Sequence, residues 1–146
     1  MRALLQRVRR ASVEIDSQVA GSIDAGLLVF LGLEPGDTSF MGEKLLERVL
    51  NYRIFSDDQN RMNLSLRDVS GDLLLISQFT LAADTSRGLR PGFSTAMPPG
   101  EAEPLFQQLY DYVDGVYGPV AGGRFGADMQ VSLINDGPVT FLLSAS

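Results

Sequence analysis

Two short polar segments break out of apolar, strand-like runs, and they are the best candidates for chemistry in this 146-residue chain. Ser77-Gln78-Phe79-Thr80 follows the apolar run 72–76, and Asn135-Asp136-Gly137-Pro138 follows the run 129–134. Polar groups that converge at the end of a buried strand are well placed to line a ligand pocket. The sequence therefore predicts that both segments belong to the functional site.

The chain contains no His and no Cys, and this composition excludes several mechanisms. Without His there is no Ser-His-Asp triad and no imidazole acid or base. Without Cys there is no thiolate nucleophile, disulfide or thiolate-bound metal. A carboxylate site for Mg²⁺ or Ca²⁺ would remain, but the acidic pair Asp57-Asp58 lies in a segment typical of a turn. We expect no metal and no cofactor.

The first segment allows three interpretations, and the residues alone do not choose between them. Ser77 or Thr80 would be a nucleophile only beside an activating base, and the one lysine, Lys44, falls on the exposed side of a predicted helix. Alternatively, the backbone amides of Phe79 and Thr80 form an oxyanion hole, with Gln78 beside them. In the third interpretation the segment is a strand end that faces solvent.

Gly137-Pro138 also has two interpretations. Proline removes a hydrogen-bond donor from a strand and is disfavoured inside a sheet, so the pattern favours a hairpin turn between two strands. A cis peptide is the rarer alternative, since only about 5–6% of X–Pro bonds in folded proteins are cis. Such a peptide would turn two consecutive carbonyl oxygens to one side, where they could hold an amino group.

The overall composition is that of a globular protein, with 45% hydrophobic and 21% charged residues. Its length predicts one domain, 1–146. The longest apolar run, 27–31, is far shorter than the roughly 20 residues that span a bilayer. The N-terminus also lacks a secretory signal. We expect a cytoplasmic protein that has no membrane partner.

The net charge of −6 argues against broad binding of nucleic acid, and we expect no DNA partner. A narrow contact is still compatible with the sequence, because eleven of the twelve basic residues are arginines. Four of them lie within the first ten residues, where they either keep an edge strand soluble or serve the site.

The periodicity of the chain predicts about seven or eight strands and two helices. The strands are expected at 2–9, 12–15, 19–23, 26–33, 72–78, 129–134 and 139–143. One helix is expected to run from a cap at Asp37 or Thr38 to about Tyr52, and a second at 101–117. Residues 64–69 are ambiguous, and 83–100 form a long polar loop of a kind that is often functional. We predict an α+β fold: a strongly bent, mostly antiparallel sheet or small barrel with two main helices packed on it.

Across its whole length the chain resembles the D-aminoacyl-tRNA deacylases of the bacterial and eukaryotic type. The resemblance is carried by Leu5-Gln6-Arg7-Val8, Ala11-Ser12-Val13, Gly26-Leu27-Leu28-Val29, Ser77-Gln78-Phe79-Thr80-Leu81-Ala82, Gly88 with Arg90-Pro91, Phe125-Gly126-Ala127 with Met129, and Asn135-Asp136-Gly137-Pro138-Val139-Thr140. One position departs from the family. Gly92 stands where the family usually has serine, which leaves the conformation of that loop open.

The resemblance implies a homodimer that hydrolyses the ester between a D-amino acid, or mischarged glycine, and the 3′-terminal adenosine of tRNA. This is a proofreading step in translation quality control. The cis Gly137-Pro138 of one subunit would enter the pocket of the other, contact the substrate's amino group and α-carbon, and reject L-aminoacyl-tRNA. Arg7 would donate to the backbone of that segment.

The resemblance also gives roles to the remaining residues. The amides of Phe79 and Thr80 would hold the ester carbonyl, and Gln78 and Thr80 would shape the pocket that begins at Ser77. The ribose 2′-hydroxyl of the tRNA would help to activate water. The terminal adenine would be flanked by Phe125 and Met129, for which ordinary core packing is the alternative. The competing hypotheses are a non-catalytic module that binds the tRNA 3′ end and an unrelated small esterase.

Overall fold

The computed structural model describes residues 1–145. In chain order its strands and helices are β1 (Arg2–Ile15), β2 (Gln18–Ile23), β3 (Gly26–Gly32), α1 (Ser39–Asn51), β4 (Phe55–Ser56), β5 (Met62–Leu64), α2 (Leu66–Val69), β6 (Asp72–Ser77), α3 (Pro99–Tyr117), β7 (Ala121–Gly122) and β8 (Gln130–Ser144). A short 3₁₀ helix, Phe79–Ala82, follows β6. Within the described residues, every helix is too short or too polar to span a bilayer.

Strand β1 is the centre of the sheet and is longer than predicted. Its first half pairs with β3 from Arg2 to Val8, and its second half pairs with β2 from Ala11 to Ile15. The sequence suggested two separate strands here because Arg9 and Arg10 interrupt the apolar pattern. The chain nevertheless stays extended, because β8 runs along the opposite edge of both halves.

The sheet is mixed, with the strand order β2-β1-β3-β6-β7 and with β8 on the other edge of β1. The three pairs that β1 forms are antiparallel, as predicted for most of the sheet, but the pairs β3–β6 and β6–β7 are parallel. Parallel neighbours need a long crossover connection, and α1 and α2 lie on the connection from β3 to β6. The α+β class, with a sheet bent nearly into a barrel, is confirmed.

The barrel nearly closes where β2 approaches β7. A Cβ atom on Gly21 would lie 2.6 Å from the carbonyl oxygen of Gly122, which is closer than a side chain tolerates. Glycine therefore allows the two backbones to approach each other at this point.

Helix α1 begins where its capping signal predicts. Thr38 caps α1, since its hydroxyl accepts a hydrogen bond of 3.3 Å from the Met41 amide. Helix α3 begins two residues earlier than predicted, because Pro99 occupies the first turn, where a missing amide costs nothing. The ambiguous segment 64–69 contains the short helix α2, which Ser65 caps.

The core lies on both faces of the sheet. Leu5, Leu27 and Leu75 pack against the apolar faces of α1 and α3 on one side. On the other side, Val13 and Ile76 belong to a smaller cluster inside the bent sheet. The apolar face of α1 is therefore part of the core. The space for a ligand lies where the strands end.

The hairpin predicted at Asn135–Pro138 is wrong. Both flanks of this segment pair with β1 in the same antiparallel direction, so 130–144 is one strand. Its register places Asn135 opposite Val8 and Thr140 opposite Gln6. Four residues of β8 thus stand opposite the single residue Arg7, and the segment 136–139 bulges out of the strand.

Candidate functional site

The first polar segment turns sharply at the end of β6. Its last sheet-like contact is the hydrogen bond of 2.8 Å from the Gln78 amide to the Leu31 carbonyl. The 3₁₀ helix then starts at Phe79, and the Leu81 amide is the first to donate back, to the Gln78 carbonyl at 3.3 Å. The amides of Phe79 and Thr80 have no acceptor within such a helix, and the Gln78 side chain does not cap them.

The side chains of this segment supply no catalytic base. Gln78 Nε2 donates to Thr80 Oγ1 at 2.6 Å, which occupies the threonine hydroxyl with a neutral amide. An amide does not take up a proton at neutral pH, and the chain has neither His nor Cys. Within the described residues, then, the geometry favours the backbone amides, as hydrogen-bond donors, over the hydroxyls, as nucleophiles.

A cleft of about 660 Å³ opens beside this segment. It brings Ser77, Gln78 and Phe79 together with Phe125 and Met129, which lie more than forty residues later. The remaining lining residues are mainly apolar: Phe30, Leu31, Leu33, Ile76, Phe93, Ser94, Ala96, Met97, Pro98, Pro99, Ala102, Gly126, Ala127, Asp128 and Val131. Such a volume and lining are typical of a small-molecule site.

The sequence analysis missed the aromatic wall that Phe93 contributes to this cleft. The rings of Phe93 and Phe79 lie 5.2 Å apart at an angle of 60°, and both side chains are exposed. Phe125 packs more deeply, with its ring 6.2 Å from that of Phe106. The only sequence signal for Phe93 was its place in the long polar loop, where an exposed aromatic residue has no structural reason to be.

Arg7 connects the bulge of β8 to the neighbouring backbone through two hydrogen bonds. Its Nε donates to the Asp136 carbonyl at 2.8 Å, and its Nη1 donates to the Ile54 carbonyl at 2.7 Å. Only 13% of the Arg7 side chain is exposed. The predicted contact from Arg7 to the backbone of the second segment is therefore present.

Asn135 clamps the two ends of the bulge, and the sequence analysis did not assign it a role. Its Oδ1 accepts from the Val139 amide and its Nδ2 donates to the Val139 carbonyl, both at 2.9 Å. The same amide also reaches Gln6 Oε1 at 3.1 Å. An Asn side chain can replace a backbone partner in this way, so the signal was an asparagine immediately before a Gly-Pro pair.

Gly137 and Pro138 form the tip of the bulge. Both are exposed, and the peptide bond between them is cis. A Cβ atom on Gly137 would lie 2.0 Å from the Val139 amide nitrogen and 2.8 Å from Asn135 Oδ1. Only glycine fits this position.

The two segments do not meet within one chain. The cleft contains Ser77, Gln78 and Phe79, but Arg7, Gly137 and Pro138 are not among its lining residues. Thr80 is exposed and follows Phe79 directly, but it is not among the residues that line the cleft. The structure thus assembles the first segment with Phe125 and Met129, and it places the second segment elsewhere on the surface.

Comparison with known proteins identifies the family of the chain. Residues 4–144 match the D-Tyr-tRNA(Tyr) deacylase family. The chain belongs to this family.

Named relatives match this chain over nearly its whole length. The chain is 59% identical over 143 residues to the D-aminoacyl-tRNA deacylase of Pseudomonas fluorescens (strain SBW25), covering 98% of this chain and 99% of that protein. A solved structure named c-Myc DNA Unwinding Element Binding Protein is 36% identical, with a TM-score of 0.95, and covers 100% of this chain and 99% of that one. A probable eukaryotic D-amino acid tRNA deacylase, 16% identical with 97% of each chain covered, shares the fold at a TM-score of 0.83.

Membership of a deacylase family makes the chain an enzyme, a hydrolase. Two ionisable groups that do not line the cleft have shifted pKa values. Burial raises the pKa of Tyr110, which lies behind Phe125 and keeps its phenol proton in a hydrogen bond to the Val120 carbonyl. Far from the cleft, Arg67 lowers the pKa of Glu47 through a hydrogen bond.

The structure also answers two points that the sequence leaves open, the loop at Gly92 and the acidic pair at Asp57. A Cβ atom on Gly92 would meet only Asp84, at 3.9 Å, so the serine usual in the family would fit without moving the loop. Asp57 lies in the turn between β4 and β5, where its carboxylate accepts from the amides of Gln59 and Arg61 at 2.9 and 3.0 Å. The turn interpretation of Asp57 is confirmed.

Proposed function

We propose that this protein hydrolyses the ester that joins a D-amino acid to the 3′-terminal adenosine of tRNA. The family and the named relatives support this substrate. The observation that carries the proposal is the pair of free amides at Phe79 and Thr80, which borders a cleft without a side-chain base. A cytoplasmic location, with 1–146 acting as one domain, goes with this substrate.

In the proposed reaction the ester carbonyl oxygen points at the amides of Phe79 and Thr80. Attack by water converts the carbonyl carbon to a tetrahedral centre and places negative charge on this oxygen, which the two N–H groups stabilise. One such donor is typically worth about 10²–10³ in rate. The bond between the carbonyl carbon and the ribose 3′-oxygen then breaks, and this oxygen leaves with a proton. The neighbouring 2′-hydroxyl of the ribose takes part in moving that proton, because the protein offers no imidazole.

The terminal adenine is proposed to lie between Phe125 and Met129. Both line the same cleft as Ser77 and Gln78, so a bound adenosine would place its ester within reach of the amides. Aromatic and thioether groups both bind the flat face of a base well.

The selection of D-amino acids is proposed to come from a second copy of the chain. Gly137 and Pro138 are exposed, and Arg7 and Asn135 hold them in place, yet they lie outside the cleft of their own chain. In a homodimer, the carbonyl groups of this tip would contact the substrate's amino group and α-carbon in the partner's cleft. A D side chain then points outwards, whereas an L side chain collides with main chain. Glycine has no side chain and would pass this filter, so glycyl-tRNA is a further expected substrate.

Incubation with D-tyrosyl-tRNA, L-tyrosyl-tRNA and glycyl-tRNA tests the proposal directly. We expect rapid release of D-tyrosine, slower release of glycine and retention of the L-tyrosyl ester. A non-catalytic module that binds the tRNA 3′ end would leave all three esters intact. An unrelated small esterase would cleave simple amino-acid esters that lack ribose, with no preference of hand. Either result overturns the proposal.

Thr80→Ala is expected to retain substantial deacylase activity, within about 10-fold of the unmodified protein. The reason is that the substitution keeps the backbone amide and removes only a hydroxyl whose partner is Gln78. Single-turnover hydrolysis of D-tyrosyl-tRNA measures the effect, and Ser22→Ala, which removes an exposed hydroxyl on β2 away from the cleft residues, is the matched control. A loss of roughly 10⁴-fold or more, as for a missing nucleophile, would show that the side-chain-free mechanism is wrong.

A further inference from the structure

A short basic loop, exposed throughout, precedes two residues that line the cleft, Phe93 and Ser94. We call residues 85–91 the arginine loop. Its two ends are joined by a pair of backbone hydrogen bonds between Asp84 and Gly92, of 2.8 and 2.9 Å. The loop turns at Gly88, whose φ is 64°. The side chain of Leu89 at the tip is completely exposed.

The charge of the arginine loop is not neutralised by the protein. Arg87 and Arg90 are exposed, and neither takes part in an ion pair within residues 1–145. The nearest acid in sequence, Asp84, is already engaged, since its Oδ1 accepts from the Ser86 amide at 2.9 Å and from the Ser86 hydroxyl at 2.6 Å. These bonds hold the pKa of Asp84 below its usual value. They also direct its carboxylate into the turn rather than towards the arginines.

Most other arginines are committed to structure. Arg7 and Arg48 donate to backbone carbonyls, and Arg67 pairs with Glu47 at 2.8 Å. In a chain with a net charge of −6, two unpaired guanidinium groups on one projecting loop are a local exception. A local positive site of this kind suits a few specific phosphate contacts rather than a broad electrostatic surface.

The position of the loop relates it to the ligand. The chain leads from the loop directly into Phe93 and Ser94, which line the cleft, and Phe93 contacts Phe79 at the amide pair. The cleft of about 660 Å³ is of the size that holds a small ligand such as an aminoacyl-adenosine. Any nucleotide before the terminal adenosine must therefore pass over the rim.

We infer that Arg87 and Arg90 bind the phosphodiester backbone of the tRNA acceptor end as it leaves the cleft. Guanidinium groups bind phosphate through two parallel hydrogen bonds. Leu89, held between them at the tip, supplies an apolar contact for a ribose or a base. The inference rests on the proposed function, because it takes the terminal aminoacyl-adenosine to occupy the cleft.

The test compares Arg87→Ala/Arg90→Ala with Lys44→Ala/Arg61→Ala. Each double variant removes two exposed positive charges, but Lys44 on α1 and Arg61 in the β4–β5 turn are not among the residues that line the cleft. The substrates are D-tyrosyl-tRNA and the D-tyrosyl ester of adenosine, which contains no phosphate. Binding of uncharged tRNA is measured in parallel across a range of salt concentrations.

We expect the loop variant to raise KM for D-tyrosyl-tRNA on the order of 10-fold, with kcat retained. Its kcat/KM for the adenosine ester should stay within roughly two-fold of the unmodified protein. The salt dependence of tRNA binding should become shallower by about 0.7 in slope for each lost contact to a single strand. The control variant should resemble the unmodified protein in all three measurements.

Three outcomes would overturn the inference. Unchanged KM and salt slope would mean that the loop does not contact RNA. An equal loss on both substrates would mean that the loop only positions Phe93. A change in molecular mass by sedimentation would mean that it contacts a second copy of the chain. If instead the unmodified protein hydrolyses neither ester while the loop variant still loses tRNA binding, the proposed function fails and the loop assignment stands.

Discussion

Phe79→Pro is expected to lower kcat for D-tyrosyl-tRNA by about 10²–10³-fold, because it removes one of the two amides proposed to hold the oxyanion. The position tolerates proline. Phe79 is the first residue of its 3₁₀ helix, where proline is readily accepted. The preceding residue, Gln78, already has an extended φ of −144° and a ψ of 85°, away from the helical conformation that proline disfavours before it.

The control for this prediction is Phe79→Ala, which also removes the ring but keeps the amide. Both variants lose the contact of 5.2 Å between the rings of Phe79 and Phe93, so any effect of that contact cancels in their ratio. Single-turnover rates on D-tyrosyl-tRNA measure the chemical step separately from product release. Equal rates for the two variants would exclude the Phe79 amide as an oxyanion donor.

The parts of the site that the sequence predicted well are local. Ser77 to Thr80 were identified because an apolar strand gives way abruptly to polar residues, and that transition marks the true end of β6. Helix α1 was predicted with a cap at Asp37 or Thr38, and Thr38 is the cap, because a cap and an apolar stripe are properties of neighbouring residues. Such features depend on interactions within one or two turns of chain, which a single sequence contains in full.

The parts that it predicted poorly depend on which strands become neighbours. Asn135–Pro138 reads as a hairpin because a Gly-Pro pair between two apolar runs usually reverses the chain, yet both runs pair with β1. The parallel pairing of β3 with β6 was missed for the same reason. Asn135 was missed because its partner is the backbone of Val139 across the bulge, a contact that exists only after the bulge has formed.

The distance between the two polar segments was the least predictable feature. Each is well defined by itself, but one lines the cleft and the other lies on a surface held by Arg7. A single chain therefore has only the first of the two segments at its cleft, and the proposed homodimer is the simplest arrangement that brings both segments together. Because the contacts proposed at both segments use main-chain groups, one site would accept side chains of many sizes, and the reaction would need no His.

Gly137→Ala is expected to reduce D-tyrosyl-tRNA hydrolysis by at least about 10²-fold, the cost typical of a displacement of about 1 Å at a reacting centre. The added methyl group would lie 2.0 Å from the Val139 amide nitrogen and 2.8 Å from Asn135 Oδ1, so the bulge must shift and the clamp formed by Asn135 must open. Because the tip is exposed, the rest of the fold should persist, which thermal unfolding followed by circular dichroism verifies. The ratio of D- to L-tyrosyl-tRNA hydrolysis should fall as well, since the displaced tip no longer blocks an L side chain.

Gly115→Ala is the matched control: its methyl group would meet no atom within 4 Å on α3, so activity should be unchanged and the free energy of unfolding should rise by up to about 1 kcal/mol. If Gly137→Ala keeps both the rate and the ratio of the unmodified protein, the tip of the bulge takes no part in selecting the substrate.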